Sequence, residues 1–339
     1  MDLASVTLTD LTALCRELGW IGPDTWLAKG EPAGVGNMNR TLRVALDGRG
    51  PAEPASLVLK QSLPFVARFP EIAAPVERGR IEAAFYQGIS SDAQLRAHTP
   101  ELLGFHAEHH LLCLQDLGSG RDLTLLYDSS TAAEHLDQAL QALTRWLGKL
   151  HELPTPVDFP GNIAMRELNH EHIFEVPFDA AAAVPVAPEL AQLRSALAAD
   201  STFMQNVEYL GAIYLGKDTF ASRPVLLHGD YYPGSWLQSA AGQIAIIDPE
   251  FGFVGPAEFD VGVMQAHLTF ADYPAPKRAE VLKGYQAQSR FDTGLMEQFA
   301  AIEVLRRLLG VAQLPLGAPT GRQLEWAQSA SERLGARCG

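Results

Sequence analysis

With 339 residues, a formal net charge of −14 and only 26 Lys and Arg against 40 Asp and Glu, the chain lacks the clustered cations of an extended phosphate-backbone surface, which excludes a nucleic-acid-binding role. No stretch reaches the roughly 18 uninterrupted apolar residues of a membrane span, and the opening MDLASVTLTDLTALCREL has neither a basic flank nor an apolar signal core, so a cytoplasmic protein without a membrane partner is expected. Three cysteines, Cys15, Cys113 and Cys338, without CxxC spacing, indicate neither a disulfide framework nor a zinc site and fit a reducing compartment.

The length exceeds the roughly 250–300 residues at which single cores stop growing, so two lobes are expected. LTDLTALCRELG places Leu8, Leu11, Leu14, Cys15 and Leu18 on one face and closes on Gly19, the pattern of an amphipathic helix. GEPAGVGNMNRTLRVAL and PASLVLKQ are two β-rich runs around a polar connection, and a helical stretch from about Val76 to Gly88 follows. ELLGFHAEHHLLCLQDLGSG reads as two strands around a polar turn at Ala107 to His110, with a Gly-rich exit. That exit sets the expected boundary: residues 1–116 as an N-terminal lobe and 117–339 as a C-terminal lobe. From Ala132 to Leu153, Leu136, Leu140, Leu143, Trp146, Leu147 and Leu150 recur at the spacing of a buried central helix. RPVLLHGD, SWLQS and QIAIIDPE form a compact β-like island, and everything after Pro256 returns to helical periodicity. The order predicts an α+β fold with a small antiparallel-sheet lobe and a larger, mostly helical one.

The strongest chemical signal is HGDYYPGSWL from His228 followed by IIDPEFGFVGPAEFD from Ile246. The first presents Asp230 on a polar loop, and the second presents Asp248 at the end of the apolar run IAII. Phosphoryl transfer needs one carboxylate to orient the attacking hydroxyl and others to hold magnesium on the triphosphate. Glu250, two residues past Asp248, points to the same side of an extended strand. Singly, each acid is an ordinary turn or strand cap beside Gly or Pro. GVGNMN, with Gly34, Gly36, Asn37 and Asn39, is a turn whose glycines let backbone approach phosphate oxygens. Lys60 lies inside the apolar SLVLKQ and requires an anion. Glu82 on the following helix is one candidate and Glu77 another, a solvated helix face being the plainer alternative. A strand Lys with a helix Glu is the pair by which kinases fix the α- and β-phosphates. Gly-rich turn, strand Lys, helix Glu, hinge, acid loop and strand-end acid, in this order, predict a two-lobed protein-kinase-like arrangement using ATP and Mg2+.

These residues resemble the aminoglycoside-phosphotransferase-like superfamily, whose catalytic loop reads HGD with an Asn five residues after the Asp; the resemblance runs from about Gly30 to Leu314. Within it, GNMN, LKQSLPFV, RIEAAFY, QDL and IDPEFGFVGPAEFD look most like the methylthioribose kinases. Ser235 in the place of that Asn, and the adjacent Arg306 and Arg307 in EVLRRLLG, strengthen the likeness. The resemblance implies transfer of the ATP γ-phosphate to the 1-hydroxyl of 5-methylthioribose, a methionine-salvage step, with a homodimer as the assembly. It makes Asp230 the base or orienter, puts Asp248 and Glu250 on magnesium, and brings Arg306 and Arg307 to the sugar or its phosphate. Adenine is then read through the backbone of Gln115 and Leu117, while His228, Ser235 and Asp260 hold the loop.

The loop here is HGDYYPGS where that family reads HGDLHTGS, which puts the bulky Tyr231 and Tyr232 close to the acceptor. A sister kinase for choline or an aminoglycoside is a second reading, suggested by the net charge and opposed by twin arginines that repel a cation. A nucleotide-binding pseudokinase with a regulatory role is a third, suggested by Ser235 and opposed by Asp230, Asp248 and Lys60. Arginines on a late helix most often reach the surface, and adjacent positions diverge by about 100°, so at most one is expected on substrate.

Overall fold

The computed structural model describes residues 1–34, 38–128, 133–179, 181–182, 184–285 and 291–335; Gly36, Asn37 and Cys338 lie outside them. The chain divides into two compact units. One comprises Met1–Gly120, Asp158–Met165 and Ser239–Gly252, the other Arg121–Val157, Arg166–Gln238 and Phe253–Gly339.

The first unit begins with α1 (Leu8–Glu17), β1 (Trp26–Pro32), β2 (Asn39–Asp47) and β3 (Ser56–Ser62), then a short hairpin, β4 (Phe65–Val66) and β5 (Phe69–Ala73). After it come α2 (Arg78–Ile89), α3 (Ala93–Arg96), β6 (Leu102–His106) and β7 (Leu111–Gln115). Thr7 caps α1 by accepting from the Asp10 N–H, and Gly19, at φ +70°, follows its end in the left-handed conformation. The five long strands form one antiparallel sheet in the order β1-β2-β3-β7-β6. Leu11 and Cys15 of α1 share a core with Val44, Leu57, Leu59, Leu111 and Cys113. Because side chains alternate across a strand, Leu57 and Leu59 facing that core turn Lys60 to the opposite side of the sheet. The β4–β5 hairpin escaped the sequence reading, since β4 has only two residues and Pro70 interrupts the pattern of β5.

β8 (Gly120–Asp122) marks the passage along the chain to the second unit, which holds α4 (Ala133–Glu152), α6 (Pro188–Ala199), α7 (Ser201–Leu215), β9 (Val225–Leu227) and most of α5 (Ile163–His170) and β10 (Trp236–Ser239). β11 (Ile244–Ile246) belongs to the first unit, and the second resumes with β12 (Phe253–Gly255), α8 (Ala257–Phe270), α9 (Ala275–Gly284), α10 (Thr293–Leu309) and α11 (Thr320–Gly335). β9 and β12 pair antiparallel, and α8 and α10 pack closely, with Phe259, Val263, Phe299 and Ile302 in one core. An antiparallel-sheet unit and a mostly helical unit make up the predicted α+β architecture. Among the described residues no helix is long and apolar enough to cross a membrane.

Gly262 permits the close approach of α8 and α10, since a Cβ there would lie 2.8 Å from the Met296 carbonyl oxygen and 2.8 Å from Phe299 Cβ. Gly262→Ala is therefore expected to destabilise the protein by about 1–3 kcal/mol, read as a lower urea midpoint. An unchanged midpoint would mean that α10 yields without cost.

Candidate active site

In the first unit, Lys60 is 4% exposed on β3, and its Nζ sits 2.6 Å from Glu82 Oε2 and 2.5 Å from Asp248 Oδ1. Glu82, rather than Glu77, is thus its partner on α2. Burial pulls the Lys60 amine toward neutrality, but Asp248, Glu82 and Glu250 more than offset it, so its pKa ends above the ordinary value and the ammonium persists at neutral pH. Burial raises the Glu82 carboxyl, with Asp248 and Glu250 adding to the rise and Lys60 opposing it.

Asp248 adopts φ +62° and heads the 3-10 turn Pro249–Phe251 instead of continuing β11. Strand alternation therefore does not relate Asp248 to Glu250, contrary to the sequence argument. Asp248 keeps a half-exposed carboxylate beside Lys60. Glu250 is 3% exposed, and its Oε2 accepts from Asn39 Nδ2 at 2.8 Å and forms an ion pair with Arg78, whose Nε lies 3.1 Å away and donates to Asn39 Oδ1. Arg78, fully buried at the start of α2, also donates to the carbonyls of Leu63, Pro75 and Met38, which ties the end of the Gly-rich connection to the turn carrying Glu250. Asn162 donates to the carbonyls of Glu250 and Gly252, fixing the same turn from behind.

Gly34 is exposed at φ +83°. The Gln115 N–H is committed to the Glu101 carbonyl, and Leu117 is half-buried two residues past β7. Between them, Asp116 accepts from Arg43, Ser56 and the Gly118 N–H, so it anchors the exit from β7.

In the second unit, β9 is fully buried and delivers His228, Gly229 and Asp230 to its end. Asp260 of α8, wholly buried, accepts the His228 N–H at 2.7 Å and the Gly229 N–H at 3.0 Å. One carboxylate thus sets two consecutive peptides, and Gly229 takes φ +85°. The Asp230 N–H reaches His228 Nδ1 at 3.4 Å, and Ser235 Oγ donates to the Asp230 carbonyl at 3.0 Å.

Tyr231 is core rather than pocket, contrary to the reading that put both tyrosines near the acceptor. It is fully buried, its ring stacks on Trp146 at 5.7 Å, and its hydroxyl donates to the Leu143 carbonyl. Successive residues turn opposite ways here, so Tyr232 alone lies beside Arg307, whose guanidinium sits 4.6 Å over the ring.

Arg306 and Arg307 are 7% and 6% exposed, not at the surface. Glu303, one turn earlier on α10 and 1% exposed, takes Arg306 Nη1 at 3.0 Å and Arg307 Nε at 2.6 Å. Arg306 also donates to Asn169 Oδ1, while Arg307 Nη2 lies 3.4 Å from Asp230 Oδ1. Burial works against ionisation of Glu303, yet the two guanidiniums hold its carboxyl well below the usual range. Its third neighbour is His267 Nε2 at 3.2 Å, and His267 Nδ1 faces the Tyr127 hydroxyl at 2.5 Å. Of these residues Glu303 carried a readable signal, its i+3 and i+4 spacing to the arginines; Arg78, Asn162, His267 and Tyr127 carried none.

Lys60→Met is expected to lower the unfolding free energy by about 3 kcal/mol by leaving a buried carboxylate without its cation; Lys60→Met/Glu82→Leu should recover most of the loss in urea unfolding. Equal stability of single and double variants would dissolve the pair. Burial also pushes His267 down to about 4 from 6.5. Between those values the unfolded chain binds a proton that the folded chain refuses. His267 therefore contributes no destabilisation above about pH 6.5 and removes up to roughly 3 kcal/mol as pH falls from 6.5 to 4. Urea unfolding at pH 7 and pH 5 should show a smaller drop in His267→Asn than in the parent, and equal drops would refute the assignment.

The model of the phosphotransferase enzyme family (APH) matches residues 30–299. Methylthioribose kinase of Exiguobacterium sibiricum is 28% identical over 288 residues, covering 81% of this chain and 69% of that relative. Methylthioribose kinase of Pectobacterium atrosepticum is 28% identical over 274 residues, covering 77% and 65%. The chain thus spans about two thirds of the length of these relatives. Among solved structures, choline kinase of Cryptosporidium parvum superposes with a TM-score of 0.57 at 14% identity, covering 97% of this chain and 94% of that one, a likeness of fold. With the family model spanning most of its length, this chain belongs to the phosphotransferase enzyme family.

Proposed function

We propose that the chain is a cytoplasmic ATP-dependent kinase that transfers the γ-phosphate to a hydroxyl of a small uncharged sugar, with 5-methylthioribose as the favoured acceptor. The observation that carries the reading is the setting of Asp230. Its backbone is held through Asp260, His228 and Ser235, its carboxylate is 20% exposed, and a guanidinium stands 3.4 Å away. A carboxylate so fixed orients an acceptor hydroxyl and takes its proton, while Arg307 stabilises charge on the phosphoryl oxygens.

Arg307 beside that carboxylate disfavours a cationic acceptor such as choline, which would meet the guanidinium where it sought Asp230. The names of the two bacterial relatives support the sugar. In this reading the first unit serves the nucleotide. Lys60, held by Glu82, meets phosphate oxygens, and Asp248 and Glu250 would hold magnesium. Two carboxylates fit that ion, because magnesium keeps water and phosphate oxygens for most of its shell. When bound, magnesium neutralises charge on the phosphates.

The test is ATP consumption with magnesium across 5-methylthioribose, ribose, choline and kanamycin. Asp230→Asn should lower turnover by about 10³-fold with ATP affinity nearly unchanged. Turnover on choline alone would sink the uncharged acceptor, and the absence of any turnover that depends on Asp230 would sink the kinase.

A further inference from the structure

We propose that Glu303 is a positioning residue for Asp230, holding Arg307 back so that the guanidinium neighbours the Asp230 carboxylate without closing on it. The proposal rests on the reading of Asp230 as the group that takes the acceptor's proton.

Two carboxylates compete for Arg307. Glu303 Oε1 receives Nε at 2.6 Å, whereas Asp230 Oδ1 stands 3.4 Å from Nη2. A charge-assisted N–H to carboxylate bond is ordinarily about 2.7–2.9 Å, so Arg307 is bound closely to Glu303 and makes only a long, weak hydrogen bond to Asp230. The difference follows from burial, because Glu303 is 1% exposed and the Asp230 carboxylate 20%. Attraction to the drier carboxylate is less screened.

Three further contacts keep Glu303 in place. Arg306 Nη1 occupies its other oxygen, and Arg306 is itself fixed by Asn169. His267 Nε2 approaches Oε1. Since Glu303 is ionised and has no proton to give, that nitrogen carries the hydrogen, and His267 Nδ1 accepts from the Tyr127 hydroxyl. Arg307 is steadied by the Ala312 carbonyl at 3.3 Å and by the Tyr232 ring. The groups facing the guanidinium are Glu303 and Arg306 from α10, His267 from α8, Tyr127, and Asp230 and Tyr232 from the loop after β9. With His267 neutral, two guanidiniums balance two carboxylates.

Were Glu303 uncharged, the carboxylate that holds Arg307 Nε at 2.6 Å would no longer compete, and a planar fork beside Asp230 pairs with both its oxygens. The oxygens that must accept the acceptor's proton would then be occupied. Glu303 thus acts by competition, keeping the charge of Arg307 near the reaction and its hydrogen bond to Asp230 long.

Glu303→Gln preserves shape and removes the charge. Its crystal structure should show Arg307 within about 3 Å of an Asp230 oxygen, and this reading needs no turnover. Kinetically, kcat should fall about 10- to 100-fold with KM for ATP unchanged. The acid limb of the kcat–pH profile should move down by about one unit as the closer guanidinium favours the ionised carboxylate. Glu303→Asp should restore part of kcat and return the limb. An Arg307 that stays in place, or activity lost only in proportion to folded protein with an unmoved acid limb, overturns the proposal. If Glu303→Gln fails to fold because two buried guanidiniums share too little charge, Glu303→Gln/Arg306→Gln removes the excess and reads the same contact. A parent protein without turnover would defeat the kinase reading alone, since the Arg307 contact still decides the role of Glu303.

Discussion

A charge taken out of water must find its counter-charge or be lost, and that constraint shapes both units of this protein. In the first, Lys60 and Arg78 lie under the sheet with Glu82, Glu250 and Asp248 around them. In the second, Glu303, Arg306 and Arg307 are buried together with His267, which burial pushes toward its uncharged form. A buried pair adds little net stability over an apolar substitute, but breaking one is costly. What such pairs provide is register: a wrong rotamer in either cluster strands a charge, so each carboxylate has one permitted direction.

The same economy explains how a short loop is given a fixed shape. Asp260 uses both oxygens on successive N–H groups, in the way a helix cap satisfies orphan donors. His228 and Ser235 hold the flanking peptide groups, and Tyr231 nails the following residue to α4 through Leu143 and Trp146. Only Tyr232 and the Asp230 carboxylate then remain at the working face. Residues chosen for bulk and hydrogen bonding thereby define where one carboxylate points.

Much of this was legible where chemistry and local backbone coincide within a few residues. An apolar run ending in HGD, another ending in IIDPE, and a lysine within SLVLK announce strand-borne polar groups, and the first helix, the β6–β7 hairpin and α4 declare themselves by period. Glu82 was the favoured partner of Lys60, with Glu77 kept as a competitor because helical phase depends on where α2 starts, and α2 starts at Arg78. Arg78 itself gave no sign, since its burial is set by Leu63, Met38 and a glutamate far along the chain. For the arginines of α10, expected near substrate, a surface position was the alternative, weighed without Glu303, whose spacing to both was in plain view. Tyr231 and Tyr232 looked alike as letters, and only the backbone separates core from site.

The return of Ser239–Gly252 to the first unit has a consequence for synthesis on the ribosome. Lys60 and its contact Asp248 are 188 residues apart, and Arg78 precedes its own partner Glu250 by 172, from position 78 to 250. At roughly 5–20 residues per second, the sheet and α2 emerge many seconds before the acids that neutralise them. Until then the nascent unit holds two cations and one carboxylate in a space built for more negative charge. The first unit is thus completed only in the last third of translation, when Ser239–Gly252 is made.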